Sequence, residues 1–178
     1  MNERIKEGFV LWFTGYPCSG KTTIADSLAV MLRNRGKSIE RLDGDIVRKS
    51  LSKDLGFSRE DRVENIRRIA FISKLLSRNG IGVITTFVSP YRFIRDMVRK
   101  DTTNFIEVFV DCPLEECRKR DVKGMYLLAE KGEIKNFTGI SDPYEKPERP
   151  EVILHTDKET LQESCEKTIA YLKGNGNL

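Results

Sequence analysis

The run GYPCSGKT, Gly15 to Thr22, matches the pattern G-x-x-x-x-G-K-[ST] and is followed by a second threonine, Thr23. Glycine at both ends lets the backbone fold into a nest whose N–H groups converge, and a helix that follows adds its positive end. Such a segment cradles a chain of phosphates. Gly15, Ser19, Gly20, Lys21, Thr22 and Thr23 are therefore the expected ATP contacts. Lys21 would meet the β- and γ-phosphates, and the Thr22 hydroxyl would ligate Mg2+, the one metal the sequence calls for. A glycine-rich turn with an exposed lysine is the plainer explanation. It is set aside because an apolar strand pattern precedes the motif and an amphipathic helix pattern follows it.

A phosphate loop says only that a nucleoside triphosphate binds, so the acceptor has to be sought at the ends of the other strands. One of them ends in LDGDIVR, where Asp43 and Asp45 flank Gly44, which lets the chain turn, and Arg48 follows one helical turn later. A carboxylate beside a γ-phosphate can orient or deprotonate an acceptor hydroxyl while an arginine holds the acceptor's anionic end. Lys21, Asp45 and Asp43 are the expected catalytic residues. A helix N-cap with a turn residue would explain the two aspartates without any chemistry. The only histidine, His155, is expected at the far end of the last strand, so the base is expected to be a carboxylate.

Elements to position these residues can be read from the periodicity. Phe9 to Thr14, Ser38 to Leu42, Ile81 to Phe87, Phe105 to Val110 and Glu151 to His155 are short, β-branched or aromatic runs that predict strands. Helical spacing joins Ile24, Leu28, Met31 and Leu32, then Ile69, Ile72 and Leu76, then Leu161, Cys165, Ile169 and Leu172. Thr156 with Glu159 predicts a capping box for the last helix, and Ser89 with Pro90 predicts an N-cap and a first helical residue. This alternation predicts an α/β chain with a mostly parallel five-stranded sheet, helices on both faces, and ligands at the carboxyl ends of the strands.

The 178 residues are enough for one substantial core and short for two, so a single domain over 1–178 is expected, with a frayed tail at about 174–178. A hydrophobic fraction of 39% and a charged fraction of 33% fit a folded, water-soluble chain. The longest apolar stretch, Ile81 to Val88, falls far short of a membrane span, and MNERIKEGFV lacks the apolar stretch of a secretory leader. Four cysteines without a CxxC pair suggest neither a zinc site nor a disulfide framework and fit a reducing cytoplasm. The net charge of +4 is scattered, which points away from nucleic acid and toward small anionic ligands.

Seven blocks in order carry a resemblance: DGDIVR, LGFS (Leu55 to Ser58), DRVENIRR (Asp61 to Arg68), TTFVSPYR (Thr85 to Arg92), VDCPLE (Val110 to Glu115), RDVKGMY (Arg120 to Tyr126) and IKNFTGISDPYEKP (Ile134 to Pro147). Together they resemble the adenylylsulfate kinase family of P-loop kinases, from Phe9 to about Thr156. The resemblance implies a three-layer P-loop kinase fold that moves the γ-phosphate of MgATP to the ribose 3′-hydroxyl of adenylyl sulfate. It further implies Asp45 as the base, Arg48, Arg62 and Asn65 on the phosphosulfate and ribose, and Phe57 and Phe137 on the two faces of the adenine. Arg62 and Asn65, three apart on a predicted helix, share a face, and a planar guanidinium suits a group offering several oxygens. Solvated arginines and core phenylalanines are the bland alternatives.

Ser89 stands where some family members have a phosphorylatable or substrate-contacting serine, although a cap alone would explain it. Arg118 to Gly132 resembles a helical lid, about 118–132, in which Arg120 and Lys123 would reach the ATP phosphates. Arg67 and Arg68 are expected to be surface charges. A homodimer is the implied assembly.

Some residues depart from the family. Tyr16, Pro17 and Cys18 occupy variable loop positions, Pro17 removes one nest N–H, and Ile46 stands where a polar residue is usual. No long segment precedes the first strand, so no regulatory arm or fused domain is expected there. Two rivals remain at this stage. A P-loop kinase for another small hydroxyl acceptor would have no use for FTGISDPYEKP. A noncatalytic nucleotide-sensing module would have no need to keep Gly20, Lys21 and Thr22.

Overall fold

The structure is a computed structural model and describes residues 6–178. The first residues of MNERIKEGFV, 1–5, on which the leader reading partly rests, lie outside the described residues. Along the chain come β1 (Val10–Thr14), α1 (Lys21–Arg33), β2 (Ile39–Asp43), α2 (Gly44–Lys49), α3 (Arg59–Ser77), β3 (Gly82–Thr86), α4 (Arg92–Asp101) and β4 (Phe105–Val110). They are followed by α5 (Leu114–Arg120), α6 (Met125–Glu130), β5 (Val152–Leu154) and α7 (Leu161–Gly174). The five strands lie in the order β2-β3-β1-β4-β5, and every pairing is parallel.

A parallel sheet between two helical layers buries both faces, which is why its central strands read as unbroken apolar runs. In β1 the residues alternate between layers. Leu11 and Phe13 join Leu28 and Leu32 of α1 and Ile169 and Leu172 of α7. Val10 and Trp12 join Ile66 and Ile69 of α3 and Ile94 and Val98 of α4. Truncating a side chain as enclosed as Leu28 or Ile69 to alanine costs about 2–5 kcal/mol. A third, smaller cluster (Cys112, Cys117, Tyr126, Ala129 and Phe137) lies where the strands end and joins α5 and α6 to Tyr16 and Cys18 of the phosphate loop.

All five strands occur within a residue or two of their predicted bounds. Three local expectations are corrected. The last helix is capped four residues later than expected, by Thr160 and Glu163, which form a reciprocal capping box; Thr156 is engaged elsewhere. Helix α4 begins at Arg92 after Tyr91, and its first amide donates to Glu145 Oε2 at 2.6 Å, so a distant carboxylate replaces the expected Ser89 cap. The tail is tied down: the Gly176 and Asn177 amides donate to Lys173 and Leu172, Gly176 supplies the left-handed φ of 69° that this cap needs, and Leu178 packs on the core.

Candidate active site

Strand ends and the turns after them build the site. Between β1 and α1 the chain folds into a nest that only small residues permit. A Cβ on Gly15 would sit 2.6 Å from the Val110 carbonyl, and Gly20 has φ 99° with Thr156 packed 3.5 Å from where its Cβ would be. The expected ATP contacts take up distinct positions here. Lys21 folds back so that Nζ donates to the Gly15 and Tyr16 carbonyls and to Ser19 Oγ. Burial pushes this ammonium down to about 8. Ser19 is fully enclosed as the acceptor, while Thr22 and Thr23 open the helix.

The variant loop residues have partners of their own. The Tyr16 ring packs on Tyr144 at 4.9 Å, Tyr126 donates its hydroxyl to the Pro17 carbonyl at 2.9 Å, and Cys18 takes a left-handed φ of 60°. All four cysteines are free thiols.

Asp43 enters through the strand register. It pairs with Thr86 across β2 and β3, and Thr86 Oγ1 donates to Asp43 Oδ2 at 2.8 Å. The same oxygen accepts from Thr22 Oγ1 at 3.1 Å, and Asp43 Oδ1 accepts the Asp45 amide as the N-cap of α2. Burial pushes this carboxyl up, but the bonds from Thr86, the Asp45 amide and Thr22 outweigh it and hold the group below its ordinary value. Asp43 is thus both the helix cap and a carboxylate against Thr22. Gly44 has an ordinary helical backbone; space explains it, since a Cβ would stand 3.2 Å from the Thr86 carbonyl.

Asp45 is largely exposed one residue on, and its carboxylate takes an ion pair from Lys123 in the turn between α5 and α6. That pair raises the Lys123 ammonium. Arg120, at the end of α5, donates to the Thr156 carbonyl at 2.7 Å and to Thr156 Oγ1 at 3.1 Å, and Thr156 Oγ1 donates to the Ser19 carbonyl at 2.8 Å. The helical lid accordingly rests on both the phosphate loop and Asp45.

Facing this half are the residues expected for the acceptor. Arg48 donates to the Gly56 carbonyl and covers one face of the Phe57 ring at 4.3 Å. Phe57 is 50% exposed, whereas Phe137 is 8% exposed and meets Tyr126 edge-on at 4.9 Å. Arg62 donates to the Phe57 and Asn136 carbonyls and lies 3.9 Å from Asp142. Burial lowers both Arg48 and Arg62. Asn65 is 4% exposed and lines the cleft, and its buried Oδ1 has no partner within the protein. Ser89, with φ 44°, is buried and accepts from Trp12 Nε1 at 3.1 Å. Of the bystanders, Arg68 is paired with Asp54 and Glu64.

One cleft of about 780 Å³ is lined by every one of the sequence-expected site residues except Gly15 and Ser19, which shape the nest from behind. Sequence reasoning missed Thr156 in its wall, although a polar residue just past the last strand is where ligands gather in such sheets. It also misplaced His155. The end of β5 is the site end of the sheet; the imidazole turns away to Asp111, 3.5 Å off, and does not line the cleft.

The parallel sheet with its phosphate loop and helical lid defines a P-loop kinase. A gluconokinase from Sinorhizobium meliloti (19% identity, TM-score 0.58) and a shikimate kinase from Aquifex aeolicus (14%, 0.54) share that fold. Residues 7–155 match the family model described as adenylylsulphate kinase. A probable adenylyl-sulfate kinase of Pseudomonas aeruginosa is 62% identical over 91% of this chain and 76% of its own length. An adenylyl-sulfate kinase of Halothermothrix orenii is 53% identical over 97% and 94%. The solved Mycobacterium tuberculosis APS kinase in complex with AMPPNP and APS is 39% identical, covering 94% of this chain and 98% of that one, with a TM-score of 0.90. The chain belongs to the adenylylsulfate kinase family.

Proposed function

We propose that this chain transfers the γ-phosphate of MgATP to the ribose 3′-hydroxyl of adenylyl sulfate, releasing ADP and 3′-phosphoadenylyl sulfate. The observation that carries this reading is the single cleft in which Lys21 and Thr22 face Asp45, Arg48, Arg62, Asn65 and Phe137. In phosphoryl transfer the protein contributes chiefly alignment and charge. ATP lies with its β- and γ-phosphates in the nest, where Lys21 exchanges its carbonyl partners for phosphate oxygens. Arg48 and Arg62 hold the phosphosulfate, Asn65 meets the ribose, and Phe137 and Phe57 enclose the adenine. Asp45 accepts the 3′-hydroxyl proton as that oxygen attacks the γ-phosphorus. Lys123, now paired with Asp45, moves to the transferring phosphoryl group as acceptor arrives, joined by Arg120 from the lid. Ser89 shapes the acceptor wall through its buried hydroxyl.

The residues present fit Mg2+. Thr22 and Asp43 offer oxygen only, 3.1 Å apart. Among the described residues no cluster of three or more His, Cys, Asp or Glu side chains could hold a metal. Thr22 would hold it directly and Asp43 through hydrogen bonding, and an ion held there would supply neutralisation of charge on the β- and γ-phosphates.

The remaining parts of the reading are a single kinase domain working in the cytoplasm as a homodimer. Its support is the four free thiols and two apolar side chains exposed one turn apart on α3, Phe71 and Leu75. Among the described residues no helix is long and apolar enough to cross a membrane. A coupled ADP-release assay with adenylyl sulfate, AMP and gluconate as separate acceptors tests the activity. ADP release should require adenylyl sulfate; equal release with gluconate, or none with any, overturns the assignment. Sedimentation tests the dimer.

A further inference from the structure

One fully buried ion pair takes no part in the chemistry above. Arg95 of α4 is 1% exposed and reaches three oxygens: Nε donates to Glu107 Oε1 at 2.7 Å, Nη1 to the Ser89 carbonyl at 2.5 Å and Nη2 to the Glu145 carbonyl at 2.6 Å. Glu107 alone would neutralise the charge, so neutrality does not explain the two carbonyl bonds. Each belongs to a segment next to the acceptor half of the cleft. Ser89 and Pro90 line the cleft, and Ser89 is held at φ 44°, a conformation a side chain tolerates only when its surroundings impose it. Glu145 follows the loop that carries Phe137, and its amide donates to the Pro90 carbonyl at 2.8 Å. Neighbouring contacts support the same junction: Tyr144 Oη lies 2.9 Å from Thr14 Oγ1, and Thr14 donates to the Val88 carbonyl at 2.7 Å. No comparable bond runs from Arg95 to the phosphate loop.

We propose that Arg95 is a positioning residue for the acceptor: its guanidinium ties the Ser89–Pro90 wall to the segment behind Phe137 and so fixes the width of the acceptor half, while it reaches the phosphate loop only indirectly, through the Tyr144 ring that packs on Tyr16. Glu107 neutralises that guanidinium and, through its other oxygen, also pairs with Arg99 at 3.1 Å, so its part is to hold the buried charges together. This rests on the adenylyl sulfate kinase reading.

The test titrates ATP and adenylyl sulfate separately and records thermal midpoints for three variants. Arg95→Met alone would strand a buried carboxylate, so it is replaced by Arg95→Met/Glu107→Met, which removes both charges and leaves Arg99 paired with Glu151, an exchange that is often close to neutral for stability. Arg95→Lys keeps charge opposite Glu107 but cannot span three acceptors. Glu107→Gln keeps the two carbonyl bonds. The first two variants should raise KM for adenylyl sulfate about tenfold or more and leave KM for ATP within about twofold. Glu107→Gln should lower the thermal midpoint while acceptor KM stays near that of the unaltered protein. The proposal is overturned if Arg95→Lys and the double variant keep their acceptor KM, or if both KM values move together with the thermal midpoint in all three. Failure of the underlying reading would show separately, as unaltered protein that releases no ADP with adenylyl sulfate.

Discussion

The two halves of the cleft are built in opposite ways. In the proposed reading the ATP half is mostly one continuous segment, Gly15 to Thr23, with main-chain amides, Lys21 and Thr22 as its chief ligand groups and Arg120 and Lys123 added from the lid. The acceptor half draws on five separate places, Asp45 and Arg48, Phe57, Arg62 and Asn65, Ser89, and Phe137, each delivered by a different strand end, helix or loop. A half made of backbone tolerates side-chain changes around it, whereas a half made of distant side chains depends on every tie between its segments. The lid touches both, through Arg120 on the Thr156 and Ser19 side and Lys123 on Asp45.

The largest expected effect comes from Asp45, where the two halves meet. Asp45→Asn should lower turnover about 10²–10⁴-fold with both substrates still binding, read from steady-state kinetics beside direct binding. A turnover within a few-fold of the unaltered protein would remove Asp45 as base. Next, Lys21→Ala should lower turnover about 10²–10³-fold while adenylyl sulfate binds as before, which calorimetry can check. Loss of acceptor binding in that variant would mean that the halves are not independent.

Phe137→Ala should act in the opposite sense, weakening adenylyl sulfate about tenfold and leaving ATP affinity nearly unchanged. Phe57→Ala should do less, because that ring is half in water and one face already carries Arg48. Normal acceptor binding by Phe137→Ala would show that the ring is core and not a wall for adenine.

The smallest effect is one of pH, and it too separates the halves. Burial brings Lys21 to about 8, so before ATP binds the ammonium is present below that pH and lost above it. A bound triphosphate favours the charged form, so binding above pH 8 takes up a proton and the apparent ATP affinity falls as pH rises through 8. In the proposed reading Arg48 and Arg62 hold adenylyl sulfate; both keep their charge throughout this range, so its affinity should stay level. Calorimetry in buffers of different ionisation enthalpy measures the uptake; absence of any uptake between pH 8 and 9 would contradict the buried, depressed lysine.

Much of this could be read from the chain before folding was considered. The five strands, their alternation with helices and the phosphate loop are written in residues close in sequence: short apolar runs, period-3.6 burial, and the glycines Gly15 and Gly20, where φ of 153° and 99° disfavours a side chain. Tertiary structure decided everything that needed a partner from afar. Thr156 has the local spelling of a helix cap, yet its hydroxyl is taken by the Ser19 carbonyl. Ser89 reads as a cap but is displaced by the Glu145 carboxylate from the other side of the loop, and Lys123 finds Asp45 only because the lid folds over it. A hydrogen bond between residues fifty or more positions apart leaves no periodic trace, since either group could satisfy itself locally. Only packing of the sheet, which fixes where each strand ends, selects among those choices.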